Sequence, residues 1–280
     1  MTATVGFDIG TQNTKIILLN NNNNNNDDDN DNVDNYGKVL AHAQIFSGFD
    51  PAQALKDAVA QALKTANLSQ TDITSFTATG STLETYPYPV TNVSIMSAIT
   101  KAGTHWFPNA KTIIEVGAEE ARAVKCDERG VMIDFVVNER CAAGAGAFIE
   151  AMARALEIKI QDMGPLALTA ERASSINAAC VIFGESDVVS LIHKQEPKSE
   201  IARAVYDAMA DRISAMVHRI GVNPQIVIVG GVAKDVGFLT SLKRKLGVDV
   251  LTPEFPEYAG ALGAALIGLS KNKTKERPKI

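Results

Sequence analysis

The sequence lacks the marks of secreted and membrane proteins. Its 280 residues include only three cysteines, and aromatic residues make up 6% of the chain. Three cysteines without disulfide-like spacing predict a reducing, cytoplasmic setting. No apolar run reaches the roughly 18 residues of a membrane-spanning helix. The chain opens with ATVGFDIG rather than with a basic segment and a long apolar one, so we expect no secretory signal.

An excess of positive charge is also missing. The formal net charge is −5, whereas a nucleic-acid-binding protein normally presents a basic face. Hydrophobic residues make up 46% and charged residues 21% of the chain, which is ordinary for a globular protein. We therefore expect a globular protein with neither nucleic-acid nor membrane partners.

One stretch has almost no apolar residues. Residues 20–35 read NNNNNNNDDDNDNVDN, in which Val33 is the single apolar side chain. Such a composition cannot bury a core. We expect a solvated, disordered insert between two strands, which is tolerable because loop-closure entropy grows slowly with length.

The remaining pattern predicts an α/β fold. Residues 3–9 form a buried strand that returns as a second strand after a turn at residues 10–14. Asp50-Pro51 then begins a helix with an N-cap aspartate and a first-turn proline. Strand–strand–strand–helix–strand–helix is an order typical of α/β architecture.

The chain repeats this order weakly. A strand over residues 111–116 meets a glycine turn and returns, with Glu115 before the turn as Asp8 stands before the first one. The repeat predicts two similar halves that face each other across a cleft. We place the first half at residues 1–105 with 258–280, and the second at residues 106–257.

Three turns are suited to binding phosphate or nucleoside. The first hairpin tip exposes glycine and threonine groups beside Asp8, which can hold phosphates and hydrated Mg²⁺. An ordinary hairpin would look the same. The second follows Glu115, and the third is the Gly230-Gly231 turn after strand QIVIV, where backbone can approach a ligand closely.

Two cysteines each stand beside a predicted helix start. Cys141 precedes AAGAGAFIE, and Cys180 precedes VIFGESDVVSLIHK. The first amides of a helix lack intrahelical partners and carry the positive end of its dipole. These surroundings favour a thiolate that serves as nucleophile or metal ligand. Cys126 has no helix after it and is predicted to be structural or on the surface.

Several motifs together resemble one family. DIGTQNTK, IEVGAEE and IVGGVAKD resemble the two phosphate motifs and the adenosine motif of the sugar kinase, actin and heat-shock chaperone superfamily. NERCAAGAGAF, AACVIFGESD and YAGALGAAL narrow the resemblance to the ATP-hydrolysing activators of 2-hydroxyacyl-CoA dehydratases and the related ATPase subunits of benzoyl-CoA reductase. The resemblance covers nearly the whole chain apart from the insert.

The resemblance implies a fold, a function and cofactors. The fold is two ribonuclease-H-like halves of the actin and sugar-kinase type, with a nucleotide cleft between them. The function is ATP-driven delivery of a low-potential electron to a CoA-thioester dehydratase or reductase component. Reduced ferredoxin or flavodoxin is the implied donor, and ATP or ADP, Mg²⁺ and a [4Fe–4S] cluster are the implied cofactors.

The resemblance also implies how the cluster is held. A [4Fe–4S] cluster needs four thiolates, and each chain offers Cys141 and Cys180. Two chains related by a two-fold axis supply four, so the cluster would bridge a homodimer, or a heterodimer with a paralogous subunit.

Residue roles follow by the same resemblance. Asp8 would hold the hydrated metal, Glu115 and Glu119 would belong to the catalytic groups of the second hairpin, and nucleotide-binding residues would be Gly10, Thr11, Gln12, Lys15, Gly117, Gly230, Gly231 and Val232.

The sequence departs from the family at two places. Glu119 stands where the family usually has glutamine, which changes the group beside the attacking water. The family's Ala–Thr–Gly–Tyr–Gly–Arg is replaced by residues 78–83, ATGSTL, so no arginine is offered there. Both changes indicate a divergent branch.

Three alternatives stay open at this stage. A small sugar or amino-sugar kinase would need a catalytic aspartate after a strand, where this chain has Gly80-Ser81-Thr82. A nucleotide-dependent assembly protein would form filaments. A dimer with a zinc site or a redox sensor would use the same cysteines without iron.

Overall fold

A computed structural model describes residues 1–21, 37–81, 86–138, 145–176 and 180–276, with no side chains given for residues 272–276. The chain divides into two compact units, Met1–His105 with Tyr258–Ile280, and Trp106–Glu257.

Strands and helices of the described residues follow one another in this order: β1 (Ala3–Ile9), β2 (Asn13–Asn20), β3 (Val39–Phe46), α1 (Pro51–Ala66), β4 (Ile73–Gly80), β5 (Val90–Asn92), α2 (Ile95–Trp106), β6 (Thr112–Val116), β7 (Ala121–Cys126), β8 (Met132–Asn138), α3 (Gly146–Ala155), α4 (Ile160–Leu168), α5 (Val181–His193), α6 (Lys198–Ile220), β9 (Ile226–Val229), α7 (Val236–Leu246), β10 (Val250–Leu251) and α8 (Ala259–Glu276).

The two sheets have the same topology. The first sheet has the order β3-β2-β1-β4-β5, and the second has the order β8-β7-β6-β9-β10. In each, the first three strands are antiparallel and the last two run parallel to the central one. Each unit is therefore a ribonuclease-H-like half, and the predicted fold class is confirmed.

Alternation along β1 divides the faces of the first sheet. Val5, Phe7 and Ile9 are buried in one apolar cluster with Leu55 and Val59 of α1. The other residues of β1 point to the opposite face, because side chains alternate along a strand. Helix α8 packs closely on that face, since a Cβ at position 6 would lie 2.0 Å from the carbonyl oxygen of Ala261.

Local signals placed the start of α1 correctly. The Oδ1 of Asp50 accepts a hydrogen bond of 2.9 Å from the backbone N–H of Gln53, and Pro51 is the first helical residue. This is the arrangement that satisfies one of the unpaired amides at a helix start.

The structure corrects the start of the asparagine-rich insert. Asn20 is the last residue of β2 and is only 3% exposed. The backbone N–H of Asn21 donates to the carbonyl oxygen of Thr2 at 2.9 Å. Asn20 therefore belongs to the sheet, and Asn21 is hydrogen-bonded just beyond its edge, because backbone pairing does not depend on side-chain polarity. Residues 22–36 lie outside the described residues.

Two further predictions from the sequence are changed by the structure. The sequence predicts a helix over residues 91–103; the helix is present as α2, but it begins at Ile95 because strand β5 occupies Val90–Asn92. The sequence predicts a connector containing Gly164-Pro165, but these residues lie in helix α4, with the proline inside it. A Cβ at position 164 would lie 2.8 Å from Oδ1 of Asp235, so tight packing of this helix outweighs the unfavourable proline.

The sequence of residues 198–220 predicts a long helix with seven apolar residues along one face, among them two methionines that fill the core. Helix α6 agrees with this prediction, because all seven residues are buried, namely Ile201, Val205, Met209, Ile213, Met216, Val217 and Ile220. Among the residues described here, none of the helices has the length and apolar character needed to cross a membrane.

Candidate functional site

Asp8 lies in a narrow, polar recess of the first unit. Its carboxylate is 3.9 Å from the Nζ of Lys15, and the two side chains are 15% and 17% exposed. A Cβ at position 80 would lie 2.9 Å from Oδ1, and a Cβ at position 260 would lie 2.7 Å from Oδ2. A side chain at either position would collide with the carboxylate, so Gly80, which has a φ of +83°, and Gly260 make room for it.

The sequence of the last helix predicts that Gly260 and Gly263 serve close helix packing. Gly260 does bring the first turn of α8 close to the sheet, but the atoms it approaches are those of the Asp8 carboxylate. Gly263 has the predicted packing role, because a Cβ there would lie 1.7 Å from the carbonyl oxygen of Ala98 in α2. The positive end of a helix near Asp8 favours the ionised carboxylate that a metal needs.

Ser47, the residue after β3, is hydrogen-bonded to the tip of the first hairpin. The backbone N–H of Gly10 donates to the carbonyl oxygen of Asn13 at 3.1 Å, which closes the tip. The buried Ser47 donates its Oγ to the carbonyl oxygen of Gly10 at 2.9 Å and lies 3.0 Å from Oγ1 of Thr14. Its backbone N–H donates to the carbonyl oxygen of Gln12 at 2.8 Å. Thr11 is exposed at the tip.

We expect Ser47→Ala to weaken ATP binding several-fold and to lower the free energy of unfolding by about 1–3 kcal/mol. The substitution leaves the hydroxyl of Thr14, which is fully buried, without this partner, and an unpaired buried polar group costs an amount of this order. Isothermal titration with ATP and denaturant unfolding measure the two effects. Ser97→Ala, on an exposed helix surface, is the control. Unchanged ATP affinity in a destabilised Ser47→Ala protein would show that Ser47 serves the fold alone.

The acidic groups of the second hairpin are not equivalent. Oε2 of Glu115 accepts a hydrogen bond of 2.7 Å from Nη1 of Arg122, and both side chains are largely buried. Arg122 also pairs with Glu120. Glu119 is exposed in the turn. The sequence did not single out Arg122, which fixes two of the three carboxylates.

The Gly230-Gly231 turn places backbone at an open surface. Gly230 has a φ of +93°, and a Cβ on it would lie 2.3 Å from the carbonyl oxygen of Val116. Nothing lies within 4 Å of the position that a Cβ on Gly231 would take. The first glycine is therefore required by the fold, whereas the second leaves space for a ligand.

This difference gives a paired prediction. We expect Gly230→Ala to lower the free energy of unfolding by about 3 kcal/mol or more, through the positive φ and the backbone clash. Gly231→Ala should change stability by no more than about 0.5 kcal/mol while weakening ADP binding about tenfold, which is about 1.4 kcal/mol. Denaturant unfolding and ADP titration of both variants check this. If the Gly231→Ala protein binds ADP with wild-type affinity, the nucleoside does not bind at this turn.

A buried tyrosine fixes the end of the same turn. The hydroxyl of Tyr206 donates to Oδ2 of Asp235 at 2.6 Å, and Oδ1 of Asp235 accepts from the backbone N–H groups of Gly237 and Phe238. Burial raises the pKa of Asp235 against the opposing effect of these hydrogen bonds, and burial raises the pKa of Tyr206 as well. Sequence reasoning missed this pair because the two residues lie on different helices.

The second hairpin is joined directly to the start of α3. The backbone N–H of Gly146 donates to the carbonyl oxygen of Gly117 at 2.9 Å, and that of Ala147 donates to the carbonyl oxygen of Ala118 at 2.8 Å. A Cβ on Gly146 would also lie 3.2 Å from Cγ2 of Val232. Gly117, Val232 and the first turn of α3 thus meet in one place.

Cys180 is the N-cap of α5. Its Sγ accepts a hydrogen bond of 3.5 Å from the backbone N–H of Phe183, and the residue is partly exposed. Phe183 and Ile182 beside it are exposed apolar residues. Cys141 lies outside the described residues. The part of the chain that the structure describes holds no group of three or more His, Cys, Asp or Glu residues arranged to bind a metal.

Cys126, unlike the partly exposed Cys180, is a buried cysteine. It is 4% exposed, and burial, together with the neighbouring charge of Asp127, raises the pKa of its thiol to about 11. A thiol with such a pKa stays protonated near neutral pH and is a poor nucleophile or ligand. The predicted structural role is confirmed.

Helices α3 and α5 pack on each other. A Cβ on Gly184 in α5 would lie 2.9 Å from Cε2 of Phe148 in α3, so the ring of Phe148 rests directly on the backbone of the neighbouring helix. Phe148 is fully buried. The helix that starts next to the Gly117 turn and the helix that starts at Cys180 therefore share one rigid contact.

Comparison with known proteins identifies relatives along the whole chain. The model of the BadF/BadG/BcrA/BcrD ATPase family matches residues 5–268. The activator of lactoyl-CoA dehydratase from Anaerotignum propionicum is 30% identical over 263 residues, covering 94% of this chain and 96% of the relative. A subunit of benzoyl-CoA reductase from Thauera aromatica is 26% identical over 283 residues, covering 99% and 96%.

A solved structure shows the same fold. The activator of 2-hydroxyisocaproyl-CoA dehydratase from Clostridium difficile, with bound ADPNP, has a TM-score of 0.87 and 28% sequence identity. The alignment covers 100% of this chain and 99% of the solved one. The similarity extends through both units.

Proposed function

This chain belongs to the BadF/BadG/BcrA/BcrD ATPase family, and from that premise we propose that it uses ATP to deliver a low-potential electron to a CoA-thioester dehydratase. The lactoyl-CoA and 2-hydroxyisocaproyl-CoA relatives are named as activators of such dehydratases. A benzoyl-CoA-reductase-type partner is the second possibility, by similarity to the Thauera aromatica protein. The reducing setting predicted from the cysteines suits a cytoplasmic protein that works without oxygen.

The residues of the first unit fit a hydrated Mg²⁺ and phosphates. Asp8 is partly exposed, and the glycines at positions 80 and 260 make room for its carboxylate. Oxygen ligands and retained waters are what Mg²⁺ prefers. In this proposal Asp8 holds the hydrated metal, Lys15 adds a positive charge, and the Gly10–Gln12 tip binds phosphate through its backbone.

The residues of the second unit fit the rest of the nucleotide. The open space at Gly231 suits a nucleoside. The Gly117 turn would bind phosphate, and the exposed Glu119 is the group able to orient water. Glu115 is tied to Arg122, so we assign it a positioning role in the hairpin rather than proton transfer.

Cys180 fits a cluster ligand. A sulfur at a helix N-cap accepts hydrogen bonds from backbone amides and lies at the positive end of the helix dipole. Both effects stabilise a thiolate. Cys180 and Cys141 from each of two chains would hold a [4Fe–4S] cluster, which when bound stores and transfers one electron at low potential. The exposed Ile182 and Phe183 beside Cys180 suit burial against a second chain.

The observation that carries the proposal is the pair of hydrogen bonds between the Gly117-Ala118 turn and the start of α3. Through them a change at the phosphate turn displaces α3, and the Phe148–Gly184 contact transmits the displacement to α5 and Cys180. A nucleotide shifts such an equilibrium only if it binds one arrangement better than the other.

The test is purification without oxygen, followed by iron analysis, mass determination and ATP hydrolysis on the same sample. We expect about four iron atoms per two chains, visible absorption that dithionite bleaches, and Mg²⁺-dependent ATP hydrolysis. A colourless monomer that phosphorylates a sugar would establish a kinase instead. Nucleotide-dependent filaments would establish an assembly protein, and stoichiometric zinc without iron would leave a zinc site or a redox sensor.

A further inference from the structure

The strand next to Asp8 carries a buried hydroxyl that the fold does not use. Thr79 in β4 is 3% exposed, and its Oγ1 has no hydrogen-bond partner within the described ranges, which omit residues 82–85. Buried polar groups are normally hydrogen-bonded, so an unpaired one marks a place for an ordered water or an ion. A valine would fill the same volume in the strand without this cost.

The position of Thr79 points to what its hydroxyl is for. Thr79 and Asp8 are register partners on the parallel strands β4 and β1, about 4.8 Å apart. Register partners project from the same face of a sheet, and that face is the one under α8. Gly260 of α8 lies against Asp8, and Gly268 lies against Thr77, which is two residues before Thr79 on the same face.

We propose that Thr79 is a positioning residue of the nucleotide site, whose hydroxyl binds a water molecule that Asp8 also binds. This inference rests on the proposed function, in which Asp8 holds hydrated Mg²⁺. A water bound to Mg²⁺ would donate two hydrogen bonds, one to the carboxylate of Asp8 and the other to Oγ1 of Thr79. The hydroxyl thereby fixes the orientation of the metal's water shell.

The test is Thr79→Val, with Thr79→Ser as the conservative variant and Thr77→Val as the matched control on the same face of β4. We expect Thr79→Val to weaken Mg²⁺ binding to the ADP-bound protein about tenfold, which is the scale of losing one hydrogen bond. ADP affinity in EDTA should stay unchanged. Thr79→Ser, which keeps the hydroxyl, should bind Mg²⁺ within about twofold of wild type.

The stability of the nucleotide-free protein separates this role from a structural one. Because the hydroxyl is unpaired, Thr79→Val should unfold at the same or a higher denaturant concentration than wild type. A less stable Thr79→Val protein with wild-type Mg²⁺ affinity would overturn the inference, as would an equal loss of ADP affinity with and without Mg²⁺. Failure of the proposed metal site gives a different result: wild type itself would then bind ADP equally well with and without Mg²⁺. Failure of the Thr79 inference alone would leave the Mg²⁺ dependence of wild type intact.

Discussion

Cys180→Ser protein purified without oxygen should contain almost no bound iron, whereas for wild type we expect about four iron atoms per two chains. Serine removes the thiolate but keeps a hydrogen-bond acceptor at the N-cap of α5, where serine is among the preferred residues. The variant should therefore fold normally, accept the amide hydrogen bond of Phe183 and bind ADP with wild-type affinity. Iron analysis, absorption spectra and ADP titration of one preparation measure all three properties.

Cys126→Ala is the matched control for this experiment. Its thiol is buried, and its pKa is raised to about 11, so removing it should leave the iron content unchanged. Alanine is preferable to serine here, because serine would bury an additional hydroxyl in the core. Cys141→Ser should lose iron as Cys180→Ser does. Full iron content in the Cys180→Ser protein would show that Cys180 is not a ligand of the cluster.

Asp8→Asn should lower the rate of ATP hydrolysis on the order of 10²-fold or more, the scale of losing one preorganised electrostatic contact to the reacting groups. Asparagine keeps the shape of the side chain in the recess formed by Gly80 and Gly260. It removes the negative charge that faces Lys15 and that, in the proposed site, holds the hydrated metal. The loss should therefore appear in Mg²⁺ dependence and turnover, while the protein remains folded.

Steady-state hydrolysis across a range of Mg²⁺ concentrations measures this effect, and ADP titration in EDTA shows whether the nucleotide site is intact. Asp57→Asn, on an exposed surface of α1, controls for the change of charge. Wild-type turnover and Mg²⁺ dependence in Asp8→Asn would place the metal elsewhere.

Sequence pattern alone determined the elements whose signals are local. A short apolar run identified β1 as a buried strand, a 3.6-residue period identified the buried face of α6, and an N-cap aspartate with a proline marked the start of α1. Each of these signals depends on residues a few positions apart, so spacing is sufficient to read them. The motifs likewise indicated Asp8, Cys180 and the Gly230-Gly231 turn, and led to the family.

The tertiary structure alone decided which distant residues surround those motifs. Ser47 reaches the first hairpin tip from the end of β3, Gly260 covers Asp8 from α8, and Tyr206 bonds to Asp235 from another helix. It also decided that Pro165 lies within a helix and that Asn20 is part of a strand.

The physical reason is the same in each of these cases. Such contacts join residues that lie far apart in the chain, and no spacing within one segment encodes them. Whether a hydroxyl such as that of Thr79 is paired or unpaired depends on every group packed around it. Local propensity is a weak preference that tertiary packing overrides, so the chemistry of the motifs could be read from the sequence, but the residues that hold them in place could not.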